Sequence, residues 1–190
     1  MKTIKKVLNI IVTIFLIIII VIYIKQFIDD RYLNYDIENV TIDNISGDTI
    51  EVTISRVIDG DTIEVTPIDN KNNLRVRLIG INTPETVDEN RPVECYGKEA
   101  SDYVKNNFEG KKAIIVYDSK KEKRDDYGRE LAYVELINND NATYDLGEQL
   151  LELGLAEEYT YKYEYYQLRS IYRQLEKKAR REKIGLWGNC

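Results

Sequence analysis

From Val7 to Ile24 the chain carries eighteen residues without a charge, interrupted only by Asn9, Thr13 and Tyr23. As an α-helix at about 1.5 Å per residue this run reaches roughly 27 Å, close to the hydrocarbon thickness of a bilayer. It keeps no polar face of the kind a core helix shows, so residues 7–24 are expected to form a transmembrane signal-anchor. The run is longer than the apolar part of a secretory signal, and no small-x-small cleavage site follows Ile24; cleavage and secretion is the alternative. Lys2, Lys5 and Lys6 precede the span, whereas Lys25 and Arg31 beyond it are offset by Asp29 and Asp30. That asymmetry predicts a single-pass protein of the cell membrane, with residues 1–6 cytoplasmic and the remainder outside. Residues 25–48 read as a stalk, with a short extra strand expected at 40–42.

At Thr49 the period changes to two: Ile50, Val52 and Ile54 alternate with Glu51, Thr53 and Ser55, as in a half-buried strand. A tight turn at Ile58-Asp59-Gly60-Asp61 leads to a second alternation at Ile63 and Val65, and Leu74, Val76 and Leu78 make a third, with Arg75 and Arg77 on its other face. Lys98 to Phe108 switches to a helical period, with Ala100, Tyr103, Val104, Asn107 and Phe108 on one side. Strands are expected at Ala113–Tyr117 and Leu131–Ile137. Asp145 and Glu148 form a capping-box-like start to a helix whose Leu146, Leu150 and Leu153 face inward, with Gly154 as its C-terminal cap. A last helix is expected from about Glu164 to Lys183, presenting Tyr165, Leu168, Ile171, Tyr172, Leu175 and Ala179. Five strands with a helix between the third and fourth is the order of a Greek-key barrel of the OB type. The prediction for 49–190 is therefore a mainly β, α+β domain of five strands and three helices.

Composition narrows the chemistry. The 190 residues contain no histidine, which removes Ser-His-Asp and Cys-His catalysis, H-E-x-x-H zinc sites and HNH-type nucleases. Carboxylates, Arg, Lys, Tyr or a hard metal remain. The net charge of -6 argues on its face against a polyanionic partner. Three segments hold candidate residues. Asp59-Gly60-Asp61-Thr62 can present oxygens to a hard cation such as Ca²⁺, although Asp-Gly is also a common hairpin turn. Arg77 and Glu85 end a strand and its loop, eight positions apart: an arginine fork matches phosphate geometry, and a carboxylate beside it can deprotonate water. Arg124 to Tyr133 is a turn carrying Arg129 beside the aromatic Tyr127.

In this order the segments resemble the staphylococcal nuclease family from about Ile50 to Trp187. The matching stretches are Val57-Ile58-Asp59-Gly60-Asp61-Thr62, Arg77-Leu78-Ile79-Gly80-Ile81-Asn82-Thr83-Pro84-Glu85, Tyr96-Gly97-Lys98-Glu99-Ala100, Asp126-Tyr127-Gly128-Arg129, Leu151-Glu152-Leu153-Gly154-Leu155-Ala156 and Gly185-Leu186-Trp187. The resemblance implies an OB-fold enzyme that cuts DNA and RNA, single-stranded or unstructured by preference, with Ca²⁺ and leaves 3′-phosphate ends. It places Asp61, Asn82 and the Thr83 carbonyl on the metal, with Asn82 where the founding member has an aspartate, and Asp59 supporting the metal loop. Arg77 and Arg129 become the phosphate clamp and Glu85 the residue that orients or activates water. Tyr127, Tyr159 and Tyr161 match positions that flank the nucleotide, where aromatic faces stack on bases. The competing class is a catalytically weak or inactive OB module binding nucleic acid or protein at the cell surface; retention of Arg77, Glu85 and Arg129 together argues for the enzyme. No protein partner is implied, and a monomer is expected.

Cys95 and Cys190 can form only one pair, and an exported domain meets an oxidising environment, so a bridge is expected, with two free thiols as the alternative. In the chain-entropy view a loop of this size contributes on the order of 4 kcal/mol.

Overall fold

The computed structural model describes residue 6, residues 11–25, residue 27, and residues 45–69, 72–86, 92–137 and 143–190. The expected cytoplasmic tail up to residue 5, the start of the anchor at 7–10 and most of the stalk, its strand at 40–42 included, lie outside the described residues; of the stalk only residues 25, 27 and 45–48 are described. The chain divides into two units, Met1–Asn39 and Val40–Cys190. In the first, residues 11–25 form a helix, α1, whose apolar side chains, Phe15 and Ile22 among them, are exposed. Among the described residues no helix is long and apolar enough to cross a membrane. The described part of α1 is shorter than the eighteen-residue run expected from the sequence.

In the second unit β1 (Thr49–Asp59), β2 (Thr62–Pro67) and β3 (Leu74–Leu78) form the antiparallel meander that the alternation predicts. β4 (Ile81–Asn82) follows at once, then α2 (Gly97–Phe108), β5 (Lys112–Val116), β6 (Glu130–Ile137), β7 (Thr143–Asp145), α3 (Leu146–Glu152), β8 (Glu157–Glu158), α4 (Arg169–Glu182) and α5 (Leu186–Asn189). Long β1 serves two neighbours: its first half pairs with β5 and most of its length with β2, with register shifts at Ile54/Arg56 and Val57/Asp59 that let it bend. The order is β3-β2-β1-β5-β6, and a parallel pairing of Val76, Arg77 and Leu78 with Glu130, Leu131 and Ala132 joins β3 back to β6. This closes a five-stranded barrel and removes its free edges.

Val52, Ile54, Ile63, Val65 and Val76 are wholly buried, each side chain contributing about 1.5–3 kcal/mol relative to exposure. α2 buries Ala100, Val104 and Phe108, while Asn107, expected on the same face, is exposed. α3 starts as predicted, with the Asp145 side chain accepting from the Glu148 amide, but it buries Leu151 and leaves Leu153 at 41 % exposure. Leu153 is already outside the helix, where Gly154, at φ 60°, turns the chain away. α4 starts at Arg169, five residues later than its apolar spacing suggests: a 3₁₀ turn at Tyr161–Tyr163 precedes it, the Gln167 amide donates to Asp118 on the way in, and Tyr165 is exposed. The short pair β4–β8, the strand β7 and the four-residue helix α5, which makes four helices among the described residues of this unit where three were expected, were not foreseen. Two to four residues carry no readable period.

Candidate active site

The turn between β1 and β2 is pressed against residue 83. A Cβ placed on Gly60 would lie 2.7 Å from the Thr83 methyl, so glycine is needed there for the close approach. That approach lets the buried Asp61 accept the Thr83 amide at 3.1 Å through Oδ2, while its Oδ1 accepts the Thr62 hydroxyl at 2.9 Å. Asp59, at the end of β1, accepts the Gly60 amide at 2.8 Å and the Thr86 hydroxyl at 2.7 Å. Burial raises its pKa; hydrogen bonds from Thr86 and Gly60 work against this, and Glu85 and Asp61 push further upward.

Arg77 stands on β3, with its side chain only 13 % exposed. Its Nη1 donates to the carbonyls of Leu78 and Ile81 at 2.7 and 2.8 Å, and its Nη2 donates to Asn82 Oδ1 at 3.1 Å and pairs with Asp61 Oδ2 at 3.0 Å. Burial lowers its pKa, the Asp61 carboxylate opposes that, and the like charge of Arg129 adds to it. An arginine's ordinary value lies so high that the guanidinium stays charged at neutral pH. Four fixed oxygens therefore orient a permanent cation before any ligand arrives.

Glu85 follows on the loop after β4. Its carboxylate accepts the Thr86 amide at 3.1 Å, its own amide donates to Glu94 Oε2 at 2.9 Å, and its carbonyl accepts the Glu94 amide at 2.9 Å. Arg129 is placed differently, by a turn immediately before β6. Asp125 Oδ1 accepts the amides of Tyr127 and Arg129, both at 2.9 Å, and Asp125 Oδ2 accepts Arg129 Nε at 2.6 Å. Burial opposes, but these bonds outweigh it and hold the Asp125 carboxyl below its ordinary pKa. The Arg129 guanidinium lies 5.5 Å from the Tyr127 ring centre, and that ring is 86 % exposed.

The structure thus gathers Asp59, Asp61, Arg77, Asn82, Thr83 and Glu85 around one turn. Arg129 reaches Arg77 through its charge rather than by contact. Tyr159 joins the group through its amide, which donates to the Gly80 carbonyl at 2.9 Å, and Tyr161 lies beside it with ring centres 6.3 Å apart. Cys95 and Cys190 form a disulfide. Sequence reasoning missed Glu94, Thr86 and Asp125; only Asp125 left a signal, an Asx-type turn four residues before an arginine.

Among the described residues no three Asp, Glu or Cys side chains make a metal-holding group. The oxygens at the turn are nevertheless of the kind a hard cation takes: the Asp61 carboxylate, the Asn82 amide oxygen and the Thr83 backbone, with the buried Thr83 hydroxyl lacking any partner. One carboxylate with neutral oxygens fits a weakly held, partly hydrated ion.

Residues 75–189 match the family model described as staphylococcal nuclease homologue. The chain is 39 % identical over 140 residues to a thermonuclease of Staphylococcus hyicus, covering 72 % of this chain and 75 % of that protein. It is 36 % identical over 138 residues to a thermonuclease of Staphylococcus intermedius, covering 70 % and 74 %. The endonuclease YncB of Bacillus subtilis (strain 168) is 36 % identical over 139 residues, covering 73 % and 62 %. With a closed five-stranded barrel, this arrangement of carboxylates and arginines and a family match over more than half its length, the chain belongs to the staphylococcal nuclease family.

Proposed function

We propose that this chain is a Ca²⁺-dependent nuclease that hydrolyses phosphodiester bonds in DNA and RNA with low sequence specificity, leaves 3′-phosphate ends, and is held at the outer face of the cell membrane by residues 7–24. Its nuclease character rests on the family membership and on the thermonucleases and endonucleases it resembles. The observation that supports the mechanism is the fixing of Arg77 by Asp61, Asn82 and two backbone carbonyls, at a turn whose Asp59 interacts with Glu85. Hydrolysis of a phosphodiester builds negative charge on the non-bridging oxygens. Arg77 and Arg129 supply positive charge whose orientation is set in advance, which lowers the cost of that build-up. Glu85 accepts a proton from the attacking water, a role open to a carboxylate in a chain without imidazole. Asp61, Asn82 and Thr83 would hold the Ca²⁺, which when bound supplies Lewis-acid stabilisation of a phosphoryl oxygen. Tyr127 offers an exposed face on which a base can stack without its identity being read.

The test uses the full-length chain and single-stranded DNA. Cleavage is expected with Ca²⁺, none with chelator, and a fall of about 10²–10⁴-fold in Glu85→Gln. Treatment of the products with phosphatase should be needed before a polymerase can extend them. Equal cleavage under all conditions, or none under any, would sink the mechanism. For the anchor, the protein should stay with membranes through an alkaline wash; recovery in the soluble fraction would favour cleavage and release.

A further inference from the structure

Glu85 does not sit on a bare loop. Glu94 brackets it from both sides of its backbone, accepting its amide through Oε2 and donating its own amide to its carbonyl, each at 2.9 Å. The Glu94 carbonyl in turn accepts the Gly97 amide at 3.0 Å, at the start of α2. Gly97 packs onto the same loop so closely that a Cβ there would lie 2.9 Å from the Pro84 carbonyl and 3.1 Å from that of Glu85. Between Glu94 and Gly97 stand Cys95, bridged to Cys190, and Tyr96, which holds a left-handed φ of 69° and whose hydroxyl lies 3.3 Å from Asn189 Nδ2. The far end is firmly seated: Cys190 donates its amide to Leu186, and the Leu186 amide donates to Gly154.

From these contacts we infer that Glu94 is a positioning residue for Glu85, and that the Cys95–Cys190 bridge locks it in place, so that the hydrolytic rate depends on the redox state of this pair. The inference rests on the reading of Glu85 given above. Reduction by a dithiol breaks the S–S bond and leaves two thiols; the dithiol gives up two electrons and two protons and closes to a disulfide. The segment carrying the bracket then loses its covalent tie to the C-terminal helix and keeps the Tyr96–Asn189 hydrogen bond, and Glu85 loses its fixed alignment. A small misplacement of a catalytic group costs rate far more than it costs substrate affinity.

The experiment compares the oxidised full-length chain, the same chain after dithiol treatment, Cys95→Ser/Cys190→Ser, Glu94→Ala and Glu94→Gln, with folding checked by circular dichroism. We expect kcat to fall about tenfold in the reduced, double-serine and Glu94→Ala forms with KM within about twofold. Glu94→Gln keeps an acceptor for the Glu85 amide and should hold near the parent rate, and the double-serine form should ignore the dithiol. Amide hydrogen exchange at Glu85 reads the bracket without reference to catalysis: its protection should drop in the same three forms and persist in Glu94→Gln. Unchanged protection and kcat in folded Glu94→Ala and reduced protein would overturn the inference. Loss of protection together with a fully active Glu85→Gln would instead overturn the catalytic reading of Glu85 and leave the bracket standing.

Discussion

Two groups of carboxylates in this domain meet opposite fates. At the β1–β2 turn Asp61 is buried but faces Arg77 at 3.0 Å, so a cation is built in beside it. At the start of α3 Asp145 is 1 % exposed and accepts from the Tyr172 hydroxyl at 2.6 Å, the Glu148 amide at 2.7 Å and the Gly147 amide, with no arginine paired to it among the described residues. Burial pushes Asp145 up to about 6, and burial followed by the charge of Asp145 pushes Glu148 up to about 8. The difference between the two is that Asp61 has a guanidinium beside it and Asp145 has a hydroxyl and backbone amides. At the α3 start burial without a cation instead moves both carboxyls toward the protonated form, Glu148 further than Asp145, while Asp145 caps the helix.

The largest expected effect comes from turning the first group into the second. Arg77→Ala leaves Asp61 buried without its cation and is expected to cost about 3–5 kcal/mol in stability, together with nearly all activity; urea unfolding and initial rates read the two. A variant of unchanged stability would show that Asp61 does not depend on Arg77. Arg129 belongs to the same electrostatic group but hangs from a turn, so Arg129→Ala should lower kcat by about 10²–10³-fold while moving stability by less than about 1 kcal/mol. A loss of stability as large as that of Arg77→Ala would erase the distinction between the two arginines. Asn82→Asp adds a carboxylate beside Asp61 while keeping an acceptor for Arg77, and should tighten Ca²⁺ binding measured by calorimetry. Unchanged affinity would remove Asn82 from the proposed ligands. The smallest effect concerns Glu148. Its folded pKa is raised, so the native state holds this proton more tightly than the unfolded chain, and stability should fall as pH rises from about 4.5 to about 8. Glu148→Gln removes that part of the decline; if its stability followed the parent curve across this window, the group would not be the cause.

Much of this contrast was legible in the chain. The alternation through β1–β3 located Asp61, Arg77 and Glu85 on a turn, a strand and a loop, and the Asp145/Glu148 spacing located a helix start. What sorts the groups is not local. The Ile81 carbonyl and the Asn82 side chain that hold Arg77 reach it because β4 leaves β3 at Gly80, and β4 pairs with β8, far along the chain. Glu94 reaches Glu85 by loop closure, and no spacing announces that contact. The protonation of Glu148 follows from burial depth, which a capping pattern does not encode. In the same way Leu153 sits at helical spacing from Leu146 and Leu150 yet falls just beyond the helix that would have turned it inward.

The parallel seam between β3 and β6 has a further consequence. Arg77 lies in that seam and Arg129 stands at its lip, one residue before β6 begins. A chain in which the β1–β3 meander has formed but the seam has not carries the two guanidiniums on separate ribbons, with no shared field for a phosphate to enter. The seam therefore does more than close the barrel: it sets the distance at which two like charges, one from β3 and one from the turn before β6, feel one another.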